Sequence, residues 1–390
     1  MTIARILIIA GSDSGGGAGI QADIKTVTCL GGYAMTAVTA VTVQNTLGVS
    51  AIHAIPPEIV AAQIRACIDD IGVDAVKIGM VGGAATVRAV ADALAGVSVP
   101  IVLDPVMVAK GGAALLEDDA ALALIERLLP MASVVTPNTP ELAMLAQTEI
   151  EDDADALLAT QELLLQGPQA VLAKGGHLPG DTLTDWLVSR DGHMAFQSAR
   201  IDTRHTHGTG CTLAAALACG LGQGLAMEAA VERARAFVRL AMLSAPGFGQ
   251  GHGPLGHASV INDMTAPAPV LNQITVPALD YGASLAFYQW LGLRLIVDSP
   301  DEGYARFEAG NGTTVSIHVG DGVAGGAVIY LESLRLDAWV AELTAAGLHF
   351  DQAPRDEDWL WREARLTDPA GNRICLYAAG TARRFPPWRV

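Results

Sequence analysis

The sequence is poor in positive charge and in aromatic side chains. Its 390 residues include 24 Lys and Arg against 41 Asp and Glu, for a formal net charge of −17, and aromatics make up 5%. A nucleic-acid-binding protein needs a basic surface, and the short run Arg383-Arg384 does not supply one. We therefore expect no nucleic-acid partner. An anionic substrate would have to be held by local amides and a metal.

Paired cysteines and long hydrophobic runs are also lacking. The cysteines are odd in number, without metal-ligand or redox spacing, and stand at positions 29, 67, 211, 219 and 375. Disulfides are therefore not expected. The apolar run Ile6–Ala10 is too short for a signal peptide, and no stretch approaches the length of a membrane span. These features predict a cytoplasmic protein without a membrane partner.

Aliphatic residues are abundant, and in residues 1–260 they form short runs that alternate with helical patterns. Such runs are typical of strands buried on both faces of a parallel sheet. This region is thus predicted to be an α/β domain with a mostly parallel sheet and helices on both faces. The predicted strands are 6–10, 34–43, 75–78, 101–104, 134–136 and 170–173, with helices at 58–71 and 86–95.

The pattern changes after a polar, Pro-containing stretch at residues 261–270, which predicts a linker. Residues 271–379 then show a strand, a helix and three short strands, and the same order repeats once. This predicts a smaller α+β domain made of two similar units. The predicted strands are 271–276, 293–298, 304–309, 313–319, 327–331, 348–352, 361–367 and 373–378, with helices at 282–291 and 334–346. Residues 380–390 are expected to be a coiled or disordered tail.

Two glycine-rich segments could each hold an anion. Gly11–Gly19 follows a strand and precedes a helix, where it could bring backbone amides close to a ligand or could simply be a flexible turn. His207–Thr212 opens a helix of small residues, and the amides of a helix start attract anions. Cys211 in this segment is expected to have a lowered pKa and to accept a proton from a substrate hydroxyl. The alternative is a small buried apolar residue.

Four further polar residues lie where predicted strands end. Asn138 and Glu141, three apart at a helix start, could hold Mg²⁺ or could merely cap the helix. Asp104 offers a second carboxylate, and Lys174 a cation for ATP phosphates, although each could be a solvated charge. A metal, a cation, an anion hole and a base together are the parts of a phosphoryl-transfer site.

These motifs, in this order, resemble the hydroxymethylpyrimidine (phosphate) kinases of thiamine biosynthesis, members of the ribokinase-like superfamily. The matching stretches are Ala10–Asp23, Val43–Thr46, Lys77–Met80, Asp104–Met107, Lys174–His177 and Thr206–Thr212. The resemblance implies an ATP-dependent kinase that acts on a small pyrimidine alcohol, on its monophosphate, or on both. It also implies ATP and Mg²⁺ as cofactors and, by analogy with related kinases, a homodimer.

The resemblance also assigns roles to individual residues. It places Cys211 at the catalytic position, where most relatives in the superfamily have Asp, and it puts Gly208 and Gly210 in the anion hole. Lys174 and Thr209 would face ATP, and Asp104, Asn138 and Glu141 would lie near the metal. The aminopyrimidine would be held at the positions of Gly11, Asp23, Gln44 and Met80.

Residues 271–379 resemble the glyoxalase/bleomycin-resistance superfamily, also called vicinal oxygen chelate proteins. The resemblance rests on Ser284–Tyr288, Leu291–Leu293 and Asp368–Ile374. At the positions that correspond to metal ligands, this chain has Gln273, Gly326 and Cys375, and His318 is a further candidate. One amide, a glycine and a thiol do not make a site for a hard cation. This domain is therefore expected to be a metal-free binding or interaction module.

Three other functions stay open at this point. The chain could be a pyridoxal kinase, because pyridoxal is a similar flat heterocyclic alcohol. It could be a small-molecule-binding or resistance protein with a degenerate kinase half, although Cys211, Asn138, Glu141 and Lys174 are all present. The C-terminal half could also be a metal-dependent lyase or dioxygenase, which the missing ligands disfavour.

Overall fold

The structure is a computed structural model, and it describes residues 3–107, 118–260, 270–290, 293–309, 312–319, 328–345, 347–367 and 373–389. The chain divides between Thr265 and Ala266 into two units, which are described separately below as the first and second units. The predicted linker, residues 261–270, lies outside the described residues except for Val270, which begins a strand.

The described part of the first unit contains a nine-stranded sheet in the order β3-β2-β1-β4-β5-β6-β7-β8-β9. Strands β2, β1, β4, β5, β6 and β7 run parallel, and β3, β8 and β9 are antiparallel at the two edges. The strands are β1 Arg5–Asp13, β2 Tyr33–Asn45, β3 Gly48–Ala54, β4 Ala75–Ile78, β5 Ile101–Leu103, β6 Val134–Val135, β7 Ala170–Ala173, β8 Thr182–Ser189 and β9 Gly192–Ala199.

Helices cover both faces of this sheet. In β1, Leu7 and Ile9 pack into the core beneath α2, α3 and α4, while Ile6 faces Gly222 of α7 on the opposite side. The helices are α1 Gly19–Cys29, α2 Pro57–Ala66, α3 Ala84–Ala93, α4 Asp118–Arg127, α5 Thr139–Ala146, α6 Asp153–Leu164, α7 Thr209–Gly222 and α8 Met227–Leu243. The predicted fold class is confirmed. The parallel strands were identifiable because they are aliphatic throughout, whereas the missed β3, β8 and β9 are half-exposed.

The second unit has an eight-stranded sheet in its described residues, ordered β11-β12-β13-β10-β14-β17-β16-β15. Its elements are β10 Val270–Ala278, α9 Tyr281–Trp290, β11 Arg294–Ser299, β12 Tyr304–Glu308, β13 Thr314–Val319, β14 Val328–Glu332, α10 Leu336–Ala345, β15 Gln352–Asp356, β16 Arg362–Thr367 and β17 Arg373–Ala378. The predicted repeat of strand, helix and three strands is confirmed. One prediction was displaced: the strand expected at 348–352 only begins at Gln352.

The two faces of the second sheet differ in polarity. On the helix-covered face, Phe307 and Ile317 pack with residues of α9, and Leu376 packs with residues of α10. The other face carries polar and charged side chains that are nevertheless buried. They are Gln273, Arg306, Glu308, Ser316, Glu363 and Tyr377.

The C-terminal tail packs against this polar face. Residues 380–389 are mostly irregular, which agrees with the coiled alternative of the prediction and not with the disordered one. Residues Gly380–Arg383 form a 3₁₀ turn, and the Arg383 side chain is only 2% exposed. Its guanidinium lies 3.1 Å from Glu332 and donates a hydrogen bond to the Gly312 carbonyl at 2.7 Å. Arg384 pairs with Glu308 at 2.6 Å. Buried carboxylates need charged partners, and the tail supplies them.

No helix within the described ranges is both long and apolar enough to cross a membrane.

Candidate active site

A cavity of about 400 Å³ opens at the carboxyl ends of the parallel strands in the first unit. Ligand sites of open parallel sheets are expected there, because the loops that follow the strands converge at that edge. The cavity brings together eleven of the twelve residues predicted for the kinase site. They are Gly11, Gln44, Met80, Asp104, Asn138, Glu141, Lys174, Gly208, Thr209, Gly210 and Cys211. The twelfth, Asp23, is fully buried and does not line the cavity.

The first glycine-rich loop is held rigidly and is not a flexible turn. Asp13, at the end of β1, accepts hydrogen bonds from the amides of Gly15 at 2.7 Å, Gly17 at 3.0 Å and Ala18 at 2.8 Å. Gly19 has φ +55°, and a Cβ there would lie 2.3 Å from the Gly11 carbonyl oxygen. The loop therefore needs glycine for both its conformation and its packing.

The second glycine-rich segment packs directly on the first. Gly208 has φ +86°, and a Cβ at this position would lie 1.9 Å from the Gly17 carbonyl oxygen. Next to it, the Nε2 atom of His207 lies 2.9 Å from Asp13 Oδ2. Burial alone would raise the pKa of Asp13, but the hydrogen bonds from His207 and the loop amides outweigh it and lower that pKa.

Cys211 lies in the first turn of α7, half-buried at the cavity wall. The prediction of a lowered pKa was wrong, because the pKa of this thiol is raised to about 11. Burial is the main cause, and the negative charges of Asp23 and Asp104 add to it. Lys77 acts in the opposite direction. Desolvation and two nearby carboxylates thus outweigh the helix start that the prediction relied on.

Beneath the cavity, Asp23 and Lys77 form an ion pair in which both side chains are 0% exposed and the two charged atoms lie 2.8 Å apart. Burial raises the pKa of Asp23 to about 6, despite the lowering effect of Lys77. Burial alone would lower the pKa of Lys77, but Asp23, Cys211 and Asp104 raise it. The pair is therefore ionised near neutral pH. Lys77 lines the cavity, whereas Asp23 acts from beneath it, by pairing with Lys77 and by raising the pKa of Cys211 through its charge.

A second charge cluster surrounds Lys174. Its Nζ atom lies 3.0 Å from Asp104 Oδ1 and 3.8 Å from Glu141 Oε2. Burial raises the pKa of Glu141 to about 7, with a further contribution from Asp104 and an opposing one from Lys174. Asn138 and Glu141 also form the capping box of α5, since each side chain accepts a hydrogen bond from the other's backbone amide. The helix-cap prediction is therefore correct.

The carboxylates around Lys174 could also bind a divalent cation, because they offer the oxygen atoms that such cations prefer. Asp104 and Glu141 are hard oxygen donors on one cavity wall, and the charge of Asp104 adds to the effect of burial in raising the pKa of Glu141. One lysine faces both carboxylates, so the cluster carries an excess of negative charge that a cation would compensate. Because the cap already uses Asn138 Oδ1, Asn138 is the weaker ligand candidate.

A second cavity, of about 730 Å³, shares a wall with the first, and Asn138, Lys174, Thr209 and Gly210 line both. The lining of the second cavity contains Arg200, Arg235 and Arg239 as well as three aspartates, and one of these, Asp185, pairs with Arg235 at 2.7 Å. The sequence did not identify these arginines, since Arg200 follows β9 and Arg235 and Arg239 lie in α8, without a common motif. Two adjoining cavities with a shared anion-binding wall suit two substrates that meet at a phosphoryl group.

Three cavity residues were not identified as functional from the sequence. Asp13 and His207 lie within the quoted motifs but had no assigned role, and Lys77 interrupts the aliphatic strand β4. A lone lysine inside a buried strand needs a buried acidic partner, so Lys77 was the signal in the sequence for such a pair.

The candidate ligands of the second unit do not assemble into a metal site. Gln273 donates a hydrogen bond to Ser316 at 3.2 Å and accepts one from Thr314 at 3.0 Å. Cys375 is buried, and His318 is exposed. The predicted position Gly326 lies outside the described residues. Among the residues that the structure describes, no group of three or more His, Cys, Asp or Glu could hold a metal ion.

Known families match both units. The profile of the phosphomethylpyrimidine kinase family matches residues 13–256. The profile of the glyoxalase/bleomycin resistance protein/dioxygenase superfamily matches residues 270–376. The hydroxymethylpyrimidine/phosphomethylpyrimidine kinase of Streptomyces coelicolor is 46% identical over 258 residues, which cover 66% of this chain and 96% of that protein. The enzyme of the same name from Rhizobium meliloti is 48% identical over 254 residues, or 64% of this chain and 96% of that protein.

Solved structures give the same result. Phosphomethylpyrimidine kinase from Clostridium difficile is 38% identical with a TM-score of 0.55, and the match covers 60% of this chain and 98% of that one. The ADP complex of Bacillus subtilis pyridoxal kinase is 33% identical with a TM-score of 0.61, and the match covers 66% of this chain and 98% of that one. The ribokinase-like fold and the kinase activity inferred from the motifs are thereby confirmed. The chain belongs to the phosphomethylpyrimidine kinase family and carries a glyoxalase-like domain after its kinase domain.

Proposed function

We propose that the chain transfers the γ-phosphoryl group of ATP to 4-amino-5-hydroxymethyl-2-methylpyrimidine and to its monophosphate, as a step in thiamine diphosphate biosynthesis. The observation that carries the proposal is a single cavity in which Cys211 lies beside the Asp104, Lys174 and Glu141 cluster. The presence of all these groups also disfavours a degenerate kinase half that only binds small molecules. Residues 1–260 would form the catalytic domain and residues 271–379 the appended one.

In this proposal the reaction takes place at the start of α7. The thiolate form of Cys211 accepts the proton of the substrate hydroxyl while the hydroxyl oxygen attacks the γ-phosphorus, and the bond to the β-phosphate oxygen breaks to release ADP. Backbone amides at Gly208, Thr209 and Gly210 stabilise the negative charge on the transferring group. Lys174 offsets the charge of the phosphates.

Mg²⁺ would be held by Asp104 and Glu141, with Asn138 nearby. A bound Mg²⁺ supplies charge neutralisation to the phosphate oxygens of ATP. The three arginines in the lining of the second cavity, Arg200, Arg235 and Arg239, are suited to the remainder of the nucleotide.

The pyrimidine would lie over the first glycine-rich loop. Gln44 offers a carboxamide that can pair with the exocyclic amine and a ring nitrogen, and Met80 and Gly11 cover the ring. Asp23, which was expected to contact the substrate, would act indirectly by holding Lys77 in the cavity wall. The other partners are ATP and, by analogy with related kinases, a second copy of the chain. We place the reaction in the cytoplasm, where ATP is available.

For residues 271–379 we propose a metal-free binding or interaction module. The carboxamide of Gln273 is held by hydrogen bonds with Ser316 and Thr314, and a single amide oxygen does not hold a metal ion against water. Metal analysis of the purified full chain after dialysis should find Zn²⁺, Ni²⁺, Mn²⁺ and Fe²⁺ well below one equivalent. One tightly bound equivalent that survives the removal of Asp104 and Glu141 by mutation would contradict this proposal.

Pyridoxal kinase activity is the second candidate, because pyridoxal kinases from Bacillus subtilis and Staphylococcus aureus share the fold at 31–33% identity. The deciding experiment measures ADP release with hydroxymethylpyrimidine, its monophosphate and pyridoxal in parallel. We expect the highest kcat/KM with a pyrimidine. A chain that uses only pyridoxal would contradict the proposed function.

A further inference from the structure

His207 occupies a junction between the glycine-rich loop and the substrate cavity. Its side chain is 9% exposed and lines the cavity. The same nitrogen, Nε2, lies 2.9 Å from Asp13 Oδ2 and 3.2 Å from the amide nitrogen, Nε2, of Gln44. The proposed reaction assigns no role to this histidine, although it contacts a residue that would bind the substrate.

Hydrogen-bond requirements determine the direction of both contacts. The ionised carboxylate of Asp13 can only accept, so His207 Nε2 must carry a proton and donate it. A nitrogen that carries a proton cannot accept a hydrogen bond from the Gln44 amide nitrogen. The carboxamide must therefore be turned over about its Cγ–Cδ bond, so that its oxygen and not its nitrogen faces His207.

Thr42 requires the same orientation independently. Its hydroxyl lies 2.9 Å from the Ser12 carbonyl and 3.2 Å from Gln44 Oε1, two acceptors that one hydroxyl proton cannot both satisfy. The single hydroxyl proton is donated to the Ser12 carbonyl, which can only accept. The hydroxyl oxygen can then only accept a hydrogen bond from Gln44, so the amide nitrogen of Gln44 must face Thr42.

We propose that His207 is a positioning residue for substrate specificity, which orients the Gln44 carboxamide by donating its Nε2 proton to Asp13 and to Gln44 Oε1. A carboxamide has two acceptor sites and two N–H donors. His207 and Thr42 use one of each, so one acceptor and one donor remain for a ligand. A ring nitrogen next to an exocyclic amine presents the complementary pair. This inference rests on the proposed pyrimidine kinase function.

The test is a double-mutant cycle in the full chain, with hydroxymethylpyrimidine and ATP as substrates. His207→Leu removes the donor and should raise the KM for the pyrimidine about tenfold, the scale for an unsatisfied buried polar group, with the KM for ATP changed less than about twofold. In a Gln44→Leu background the same substitution should add less than about twofold. His207→Gln, which keeps an N–H donor, should restore most of the affinity.

Equal losses of affinity in the two backgrounds, or equal losses for pyrimidine and ATP, would overturn the inference, since a loosened loop would produce either. A second measurement does not depend on turnover. Nitrogen NMR of the histidine-labelled chain, with the signal assigned by His207→Leu, should show Nε2 protonated, and an unprotonated Nε2 would overturn the inference. A wild-type chain that phosphorylates no pyrimidine would overturn the proposed function and this inference together.

Discussion

The two units both bury charged side chains, but they pair those charges in different ways. In the first unit, Asp104, Glu141 and Lys174 line a cavity, where two carboxylates face one lysine. In the second unit, Glu308 and Glu332 lie under the C-terminal tail and pair with Arg384 and Arg383. Despite its burial, Glu308 has a lowered pKa because Arg294 of β11 and Arg384 of the tail pair with it. Burial raises the pKa of Glu332 to about 8 even though Arg383 lies beside it. The cluster of the first unit has two carboxylates for one lysine, an excess of negative charge.

We interpret this difference as one between charged side chains that serve ligand binding and charged side chains that stabilise the fold. An uncompensated buried charge costs stability, so it persists where binding or chemistry needs it. A locally compensated pair mainly holds two chain segments in one arrangement. The difference predicts that substitutions in the first cluster reduce catalysis more than stability, and that substitutions at the tail do the reverse.

The largest expected effect is at Cys211. Cys211→Ala should lower kcat by at least about 100-fold, the usual scale for the loss of a positioned base, while the pyrimidine still binds because Gln44 is unchanged. Steady-state kinetics and calorimetric titration would measure the two effects. Cys219→Ala is the matched control, because Cys219 lies in the same helix, is fully buried and is outside the cavity. Near-normal turnover in folded Cys211→Ala would exclude the assigned role.

A pH profile addresses the same residue without removing it. With a pKa near 11, the thiol is protonated at neutral pH, and its thiolate fraction grows about tenfold per pH unit below that value. If Cys211 must lose its proton before reaction, kcat/KM should also rise nearly tenfold per pH unit, as the thiolate fraction does, between pH 7 and 9. Cys211→Ser should lack this slope. A flat wild-type profile would mean that the thiol acts without prior ionisation.

At the tail, and at pH 9, where Glu332 with its pKa of about 8 is ionised, Arg383→Met should lower the free energy of unfolding of the second unit by about 3–5 kcal/mol, because the Glu332 carboxylate loses its buried partner. Denaturant titration can follow this unit by tryptophan fluorescence, because five of the six tryptophans lie in it, at positions 290, 339, 359, 361 and 388; the sixth is Trp186. Arg335→Met is the control, because its pair with Glu342 is exposed and should contribute less than about 1 kcal/mol. Kinase activity at low denaturant should be unchanged. Equal effects of the two substitutions would contradict the tail's structural role.

The smallest of these effects is expected at Gln44. Gln44→Leu should weaken pyrimidine binding by about 1–3 kcal/mol, since the polar edge of the substrate loses its partner, and should leave ATP affinity nearly unchanged. Isothermal titration with each ligand measures this directly. Gln166→Leu is the control, as its amide bonds the Leu145 carbonyl and it lines neither cavity. Similar losses for both ligands would place the pyrimidine elsewhere.

The sequence by itself determined the fold class, the repeat in the second unit and most of the residues that meet in the cavity. Aliphatic runs identify parallel strands because those strands are buried on both faces, and their ends must converge on one edge of the sheet. Cys211 and Lys174 could therefore be placed together without coordinates.

Only the tertiary structure decided how charges are paired and how much water each group loses. The pKa of Cys211 was predicted in the wrong direction because burial and distant carboxylates outweigh its helix position. Asp23 was expected in the cavity but is paired with Lys77 beneath it, across 54 residues of sequence. Arg383 sits in the polar C-terminal tail yet is buried against Glu332. Desolvation and ion pairing depend on three-dimensional neighbours, which no local pattern of residues encodes.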